Sequence, residues 1–478
     1  MTLLRAGRRD RHITERLKLA AWAGVRNLGV AMRETPLLRP AARRIIQRVR
    51  GSGAPAAATP QEERVQEMAL NLLLGAAEPA VPVPGRLVLV CGSLQPGGAE
   101  RQLVNTVRGL MRRGFRDVTV LCAHLSPRQP EAYDFFAPQL AAAGAATRQI
   151  GRRSPLYAPL PPGLPDAASA LPAALLCDVA DLWRELIALR PEVVHAWLDW
   201  SNIRAGIAAV LAGVPRIILS GRNLNPSRFF FYEPVMQPAY RALLARPGIA
   251  MINNSRAGAQ DYAQWLEVQQ DRIGVVYNGL DLPPPDRGAA LAERRRLGVP
   301  EAALLVGSMF RFSPEKRPFL WLDAAAAVAA RRPDAMFALY GAGPMRAEIA
   351  RQADALGLGP RVVLPGLSTD PLAALGAMDV FLLTSEGEGT PNTAIEAQWA
   401  GRPVVACAAG GMAEAFVPEA TGILVPCPNS VAIADAVLQL AADQDWRARM
   451  GGAGPAFVAS RFALDRMVAE VLAQYGFS

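Results

Sequence analysis

Two glutamates eight positions apart, Glu388 and Glu396, lie within TSEGEGTPNTAIEAQWAGRPVV (384–405), and their neighbours make this segment the strongest candidate for chemistry. The strand-like VFLLTS runs into an acidic loop punctuated by glycine. Thr390 is then placed to cap a helix with Pro391 at its first position, where proline's fixed φ and missing donor do no harm. The N–H groups of Asn392 and Thr393 fall free at that helix N-terminus, a ready place for a phosphate. Helical side chains lean back toward the N-terminus, so Glu396 in the second turn reaches toward the loop carrying Glu388. Carboxylates accept hydroxyl protons, and sugars and riboses offer vicinal hydroxyls. Acidic residues near a helix start also suit the dipole with no ligand present. Glu386, in the same EGEG loop, competes with Glu388 for one role.

Three further segments follow strand-like runs. SMFRFSPEKRP (308–318) holds Arg311 and Lys316, two cations suited to a diphosphate whose charge grows as it leaves. The plainer reading is a solvated basic helix start. SLQPGGAERQL (93–103) places Gly97 and Gly98 before a helix, where paired glycines allow close backbone approach to an anion or simply make a tight turn. YGAGPMRAEI (340–349) carries Gly341 and Gly343, either a turn or a surface on which a nucleotide base packs against backbone.

These positions make sense only on a particular scaffold. RLVLVCG, DVTVLCA, EVVHAW, PRIILSG and IAMINN are continuous apolar runs separated by helical stretches. That pattern predicts a parallel sheet covered on both faces. VVYNGLDLPPP (275–285) interrupts it with an Asn-Gly turn and three prolines. A second series follows: ALLVGSM, AMFALYG, RVVLPG, VFLLTS, RPVVAC and TGILVP. The expected architecture is α/β, with two doubly wound domains facing each other across a cleft and a helical N-terminal extension. The divisions fall at 1–84 (basic extension and linker), 85–282, 283–457, and 458–478, a final helix that crosses back to the first domain. In such sheets ligands bind beyond the carboxyl ends of the strands, where all four segments lie.

Composition bounds the rest. The net charge of +9 resides in residues 1–50, which carry 13 Lys/Arg against Asp10, Glu15 and Glu34, leaving the remaining chain near −1. That arm reads equally as an amphipathic helix on anionic lipid or as a solvated tail; nucleic acid is disfavoured because Trp22 is its only aromatic residue. No apolar run approaches the ~20 residues of a bilayer span, and no signal-peptide core is evident. Cys91, Cys122, Cys177, Cys407 and Cys427 form no CxxC pair and read as reduced thiols, which points to the cytoplasm. Three histidines, none closely spaced, disfavour a His-based metal site.

GGAER after the first strand, Arg311-x4-Lys316 opening the second series, and Glu388 and Glu396 with seven residues between them inside EGTPNTAIEA together resemble the family 4 glycosyltransferases. The likeness covers about 86–470 and extends to VVYNGLDL and TGILVP. It implies the GT-B fold and retaining transfer from a nucleotide-diphosphate sugar, with neither metal nor cofactor. Arg311 and Lys316 would hold the diphosphate as leaving group, Glu388 the transferred sugar and Glu396 the ribose hydroxyls. Asn392 and Thr393 would donate backbone N–H groups, and Gly97 and Gly98 would approach the diphosphate from the other domain. The acceptor, a glycan or lipid-linked sugar in bacterial surface polysaccharide or glycolipid synthesis, would face the first domain near SGRNLNPSRFFFYEP (220–234), with Arg222 and Asn223, a segment that reads either as an acceptor wall or as a helix packed on the core. The family often shows His-x-His after the fourth strand; here it is His195-Ala196-Trp197, so His195 is either an acceptor-side group or a core residue. Competing readings are a nucleotide-sugar epimerase, a pyridoxal-dependent phosphorylase on the same fold, and a membrane-docked scaffold without catalysis.

Overall fold

The computed structural model describes residues 59–477, apart from 76, 127–131, 152–165, 230 and 427. The basic arm and Cys427 therefore lie outside the described residues. The chain builds two parallel sheets. The first has seven strands: β1 (Val83–Cys91), β2 (Val118–Cys122), β3 (Ala146–Gln149), β4 (Pro191–Trp197), β5 (Arg216–Gly221), β6 (Ile249–Asn253) and β7 (Ile273–Val275). Their spatial order is β3-β2-β1-β4-β5-β6-β7. The second has six: β8 (Leu305–Met309), β9 (Met336–Tyr340), β10 (Val362–Gly366), β11 (Val380–Leu383), β12 (Val404–Cys407) and β13 (Gly422–Val425), ordered β10-β9-β8-β11-β12-β13.

Continuous apolar strands give these sheets their double cover. Leu87 to Cys91 of β1 are all buried, alternate side chains entering the cores on opposite faces. The strand order reverses between β1 and β4 in the first sheet and between β8 and β11 in the second. At such a reversal the flanking loops diverge and leave a crevice beyond the strand ends. Gly97 and Gly98 follow β1, Arg311 and Lys316 follow β8, and Glu386 and Glu388 follow β11. Topology alone thus places the candidate groups at two switch points.

Two helices from the ends of the described chain cover the first half. The helix Pro60–Gly75 packs Ala69, Leu70, Leu73 and Leu74 into the first core. The helix Leu464–Tyr475 buries Met467, Val468, Val471, Leu472 and Tyr475 in the same half, against the helix Gly98–Arg112. Contact there is close: a Cβ on Gly109 would meet Val468 Cγ2 at 2.1 Å. The chain leaves the second core at Phe462, whose carbonyl accepts from Leu280 N at 2.8 Å.

That bridge corrects one sequence reading. Asn278-Gly279 is not a surface turn. Asn278 is buried, and Gly279 passes so near the final helix that a Cβ would meet Met467 Cβ at 2.7 Å. Tertiary contact outweighs the local turn preference. Among the described residues no helix is long and apolar enough to cross a membrane. Cys91, Cys122 and Cys407 are buried free thiols, and Cys177 is partly buried.

Candidate active site between the two switch points

The loop after β1 reaches the helix Gly98–Arg112 through Gly97 in an extended conformation. Glu100 folds back over this turn, so that a Cβ at position 97 would stand 2.1 Å from Glu100 Oε2. Burial raises the Glu100 carboxyl above the usual range, opposed by hydrogen bonds from its own backbone N–H and Gln95 and by the charge of Arg311 from the other half. Arg101 stands 2.7 Å from Glu396 Oε1.

On the second half, Arg311 lies in an exposed loop between the buried rings of Phe310 and Phe312. Gly341 and Gly343 hold this loop. Phe310 N donates to Tyr340 O at 3.1 Å and Phe312 N to Ala342 O at 2.9 Å. Gly341 has φ +142° and Gly343 φ +156°, and a Cβ on either would strike the backbone of Phe310 or Phe312. Both glycines therefore serve a close approach of two chain segments that sets the position of Arg311. Lys316 ends a short 3-10 turn, and its Nζ donates to Glu388 Oε1, both groups largely buried. Arg317 meets Glu386 Oε1 at 2.8 Å. Glu388 thus faces inward with Lys316, whereas the exposed Glu386 pairs outward.

The helix after the acidic loop spans Asn392–Trp399, with Pro391 at the capping position. Thr390 does not cap it. Its hydroxyl donates instead to the Asn254 carbonyl of the first half, a longer-range acceptor that wins over the local one. The N–H groups of Asn392 and Thr393 remain without intrahelical partners. The Asn392 side chain turns across the junction: Nδ2 donates to Gly98 O at 3.0 Å, and Oδ1 accepts from Gln102 at 3.0 Å and Asn278 at 2.7 Å. Asn278 also donates to Thr390 O at 2.7 Å.

Glu396 is 1% exposed, and burial pushes its carboxyl up, with Arg101 offsetting part of that. Arg101 Nη1 forms an ion pair with Oε1, and Oε2 has no hydrogen-bond partner among the described residues. A buried carboxylate oxygen without a donor is rare, because it loses its water with nothing in return.

His195 is fully buried, its Nδ1 2.8 Å from Tyr475 OH, and burial, then Arg222, draws its pKa well below the usual value. It is a core residue, one of the two readings open from sequence. Trp197, in place of a second histidine, is buried beneath Arg222, whose Cζ lies 3.7 Å from the ring centroid. Asn223 makes a local turn, accepting from Leu224 N at 2.9 Å through its side chain. Arg101, Gln102 and Asn278 were not singled out from sequence. The first two sit in GGAERQ beside the glycines that drew attention, and Asn278 lay hidden in an apparent turn.

Two doubly wound parallel-sheet halves, with cations and glutamates at both switch points, make this a GT-B fold. Residues 96–283 match the model described as Glycosyltransferase Family 4, and residues 291–457 that of Glycosyl transferases group 1. The Vi polysaccharide biosynthesis protein VipC/TviE of Salmonella typhi is 31% identical over 413 residues, covering 80% of this chain and 70% of that one. The D-inositol 3-phosphate glycosyltransferase of Stackebrandtia nassauensis is 27% identical over 404 residues, covering 80% and 88%. Among solved structures, Anabaena Alr3699/HepE in complex with UDP and glucose superposes with a TM-score of 0.68 at 21% identity, covering 82% of this chain and 99% of that one. The chain belongs to the family 4 glycosyltransferases and is a glycosyltransferase.

Proposed function

We propose that the protein transfers a hexosyl group from a uridine-diphosphate sugar to a glycan or lipid-linked acceptor in the assembly of a surface polysaccharide. One observation carries the reading: the buried Glu396 carboxylate, paired with Arg101 at one oxygen and unpartnered at the other, stands on a helix whose free N-terminus abuts Gly98. Arg311 and the Lys316–Glu388 pair lie in the neighbouring loops. In this arrangement Glu396 receives ribose hydroxyls, and the N–H groups of Asn392 and Thr393 receive phosphate oxygens. Arg311 and Lys316 stabilise the charge that develops on the departing diphosphate, the part a divalent cation plays elsewhere. Glu388 orients the sugar and keeps Lys316 in place.

Transfer proceeds with retention: the diphosphate leaves, its oxygen takes the acceptor hydroxyl proton, and the new bond forms on the same face. No side-chain base is then required. The relatives named for polysaccharide synthesis and bound to UDP favour this donor and setting. The acceptor enters from the first half, along the Arg222 and Asn223 wall. The basic arm at 1–50 holds the enzyme at an anionic cytoplasmic membrane surface, close to a lipid-linked acceptor.

Replacing Lys316 or Glu396 by alanine tests the assignment. Transfer from uridine-diphosphate sugars should fall by about two orders of magnitude or more with the circular dichroism spectrum retained; undiminished turnover in either variant would refute it. For the arm, the full chain should float with anionic liposomes and a chain starting near residue 80 should not. Equal flotation removes the membrane assignment.

A further inference from the structure

Arg222 follows β5 at the carboxyl end of the first sheet, one strand beyond the switch point. Its backbone carbonyl would stand 2.7 Å from a Cβ on Gly389, so it lies against the loop that carries Glu388. Its guanidinium lies flat on Trp197, Cζ 3.7 Å from the ring centroid, which fixes the plane and shields one face. Nη1 donates to Asn278 Oδ1 at 3.3 Å. Nε and Nη2 are buried without a partner, and no carboxylate among the described residues forms an ion pair with Arg222. His195 Nε2, Trp197 Nε1 and Asn254 Oδ1 are also buried without partners.

A buried, unpaired guanidinium is costly, and proteins keep one where something else completes it. The two idle groups are informative. Nε–H and Nη2–H form one straight edge of the fork, the edge that meets both oxygens of a carboxylate at once. Diphosphate already has Arg311, Lys316 and a helix N-terminus on the opposite half. Arg222 belongs to the other half, its backbone against Gly389 of the Glu388 loop and its guanidinium on Asn278, which also bonds Thr390 O beside that loop.

We propose that Arg222, held on Trp197, binds the carboxylate of a hexuronic acid, carried either by the transferred sugar or by the acceptor residue that receives it. This rests on the donor-site reading above and adds the substrate class. Glu388 would then take hydroxyls of the sugar while Arg222 takes its acidic end, and a neutral hexose would leave the fork unmet.

Isothermal titration of the full chain with UDP, UDP-glucose and UDP-glucuronic acid separates the sources. If the carboxylate is on the donor, UDP-glucuronic acid binds roughly tenfold tighter than UDP-glucose, the scale of one charge-assisted bidentate contact. Arg222→Gln abolishes that preference and leaves the affinity for UDP itself unchanged. If it is on the acceptor, the two donors bind alike. Transfer to glucuronide or galacturonide oligosaccharides then shows a lower KM than transfer to their neutral counterparts, and Arg222→Gln erases the difference. Absence of an acid preference in both arms overturns the proposal. So does an Arg222→Gln variant that weakens UDP as much as UDP-glucuronic acid, since Arg222 would then be a diphosphate ligand. Should the variant not fold, the comparison of acidic with neutral sugars on the native protein still decides. Native protein that does not bind UDP at all would overturn the donor-site reading, and this one with it.

Discussion

The Gly341→Ala substitution tests whether the arginine loop is positioned by backbone packing. A Cβ at this position would stand 1.9 Å from Phe310 O, whereas real Cβ contacts essentially never fall under 3.0 Å. The Phe310 carbonyl must therefore retreat by about 1 Å, and Arg311 follows directly in the chain. Phe310 and Phe312 are buried on either side, so the loop has no slack in which to absorb this. Misplacement of a catalytic group by 1 Å costs on the order of a hundredfold in rate. The φ of +142° adds backbone strain of about 1–3 kcal/mol for any residue with a side chain. At roughly 2–4 °C per kcal/mol for a domain of this size, the melting temperature should fall by roughly 3–10 °C. Gly452→Ala is the matched control. It lies within the helix Gln444–Arg461 and its Cβ would meet nothing within 4 Å. That variant should keep full activity and gain about 0.5–1 kcal/mol from helix propensity. Calorimetry and initial rates on both proteins suffice. If Gly341→Ala retained native turnover and stability, the account of how Arg311 is held would be wrong.

Two other perturbations have worked signs. Burial raises the Glu396 carboxyl, so between the ordinary value and the raised one the folded protein holds more protons than the unfolded chain, and stability falls as pH climbs through that window. Glu396→Gln should consequently match or exceed the native melting temperature at pH 8 and lose that margin in acid; donor affinity should fall about tenfold or more. A clear loss of stability at pH 8 would show that pairing with Arg101 outweighs desolvation. Asn278→Ala removes donors from Thr390 O and Asn392 Oδ1. Unmet buried groups cost about 1–3 kcal/mol, so thermal melts should shift down and the donor KM should rise; an unchanged melt would mean the junction is not held there.

The scaffold and the charged half of the site were legible in the sequence because both are local signals. Uninterrupted apolar runs between helices announce doubly covered parallel strands, and a strand end followed by EGEGTPN announces a loop and helix start. What was not legible depends on partners far away in the chain. Thr390 looked like a cap until Asn254, 136 residues earlier, offered its carbonyl. Asn278-Gly279 looked like a turn until the final helix packed on it. Gly341 and Gly343 read either as a turn or as a surface for a base, and the sequence did not show that their backbone is pressed against the neighbouring loop. His195 sat at a strand end either way, and only the return of Tyr475 shows it to be interior.

The polar groups at the junction divide into two kinds. Gln102, Asn278 and Asn392 are neutral, and their side chains satisfy one another and nearby backbone: Gln102 Oε1 accepts from Gly279 N at 3.0 Å and its Nε2 donates to Asn392. Such a network needs nothing further, and its role is to join the halves. Glu396 and Arg222 are ionisable and buried, and each keeps polar atoms without a partner among the described residues, Oε2 of the one and Nε and Nη2 of the other. If the incompleteness were merely tolerated, neutral amides would serve equally well at both positions, since the fold already uses them a few residues away. On the proposed reading these groups stand where hydroxyls and an acid would meet them, and the cost in stability falls on the residues assigned to substrate rather than on those that hold the two sheets together.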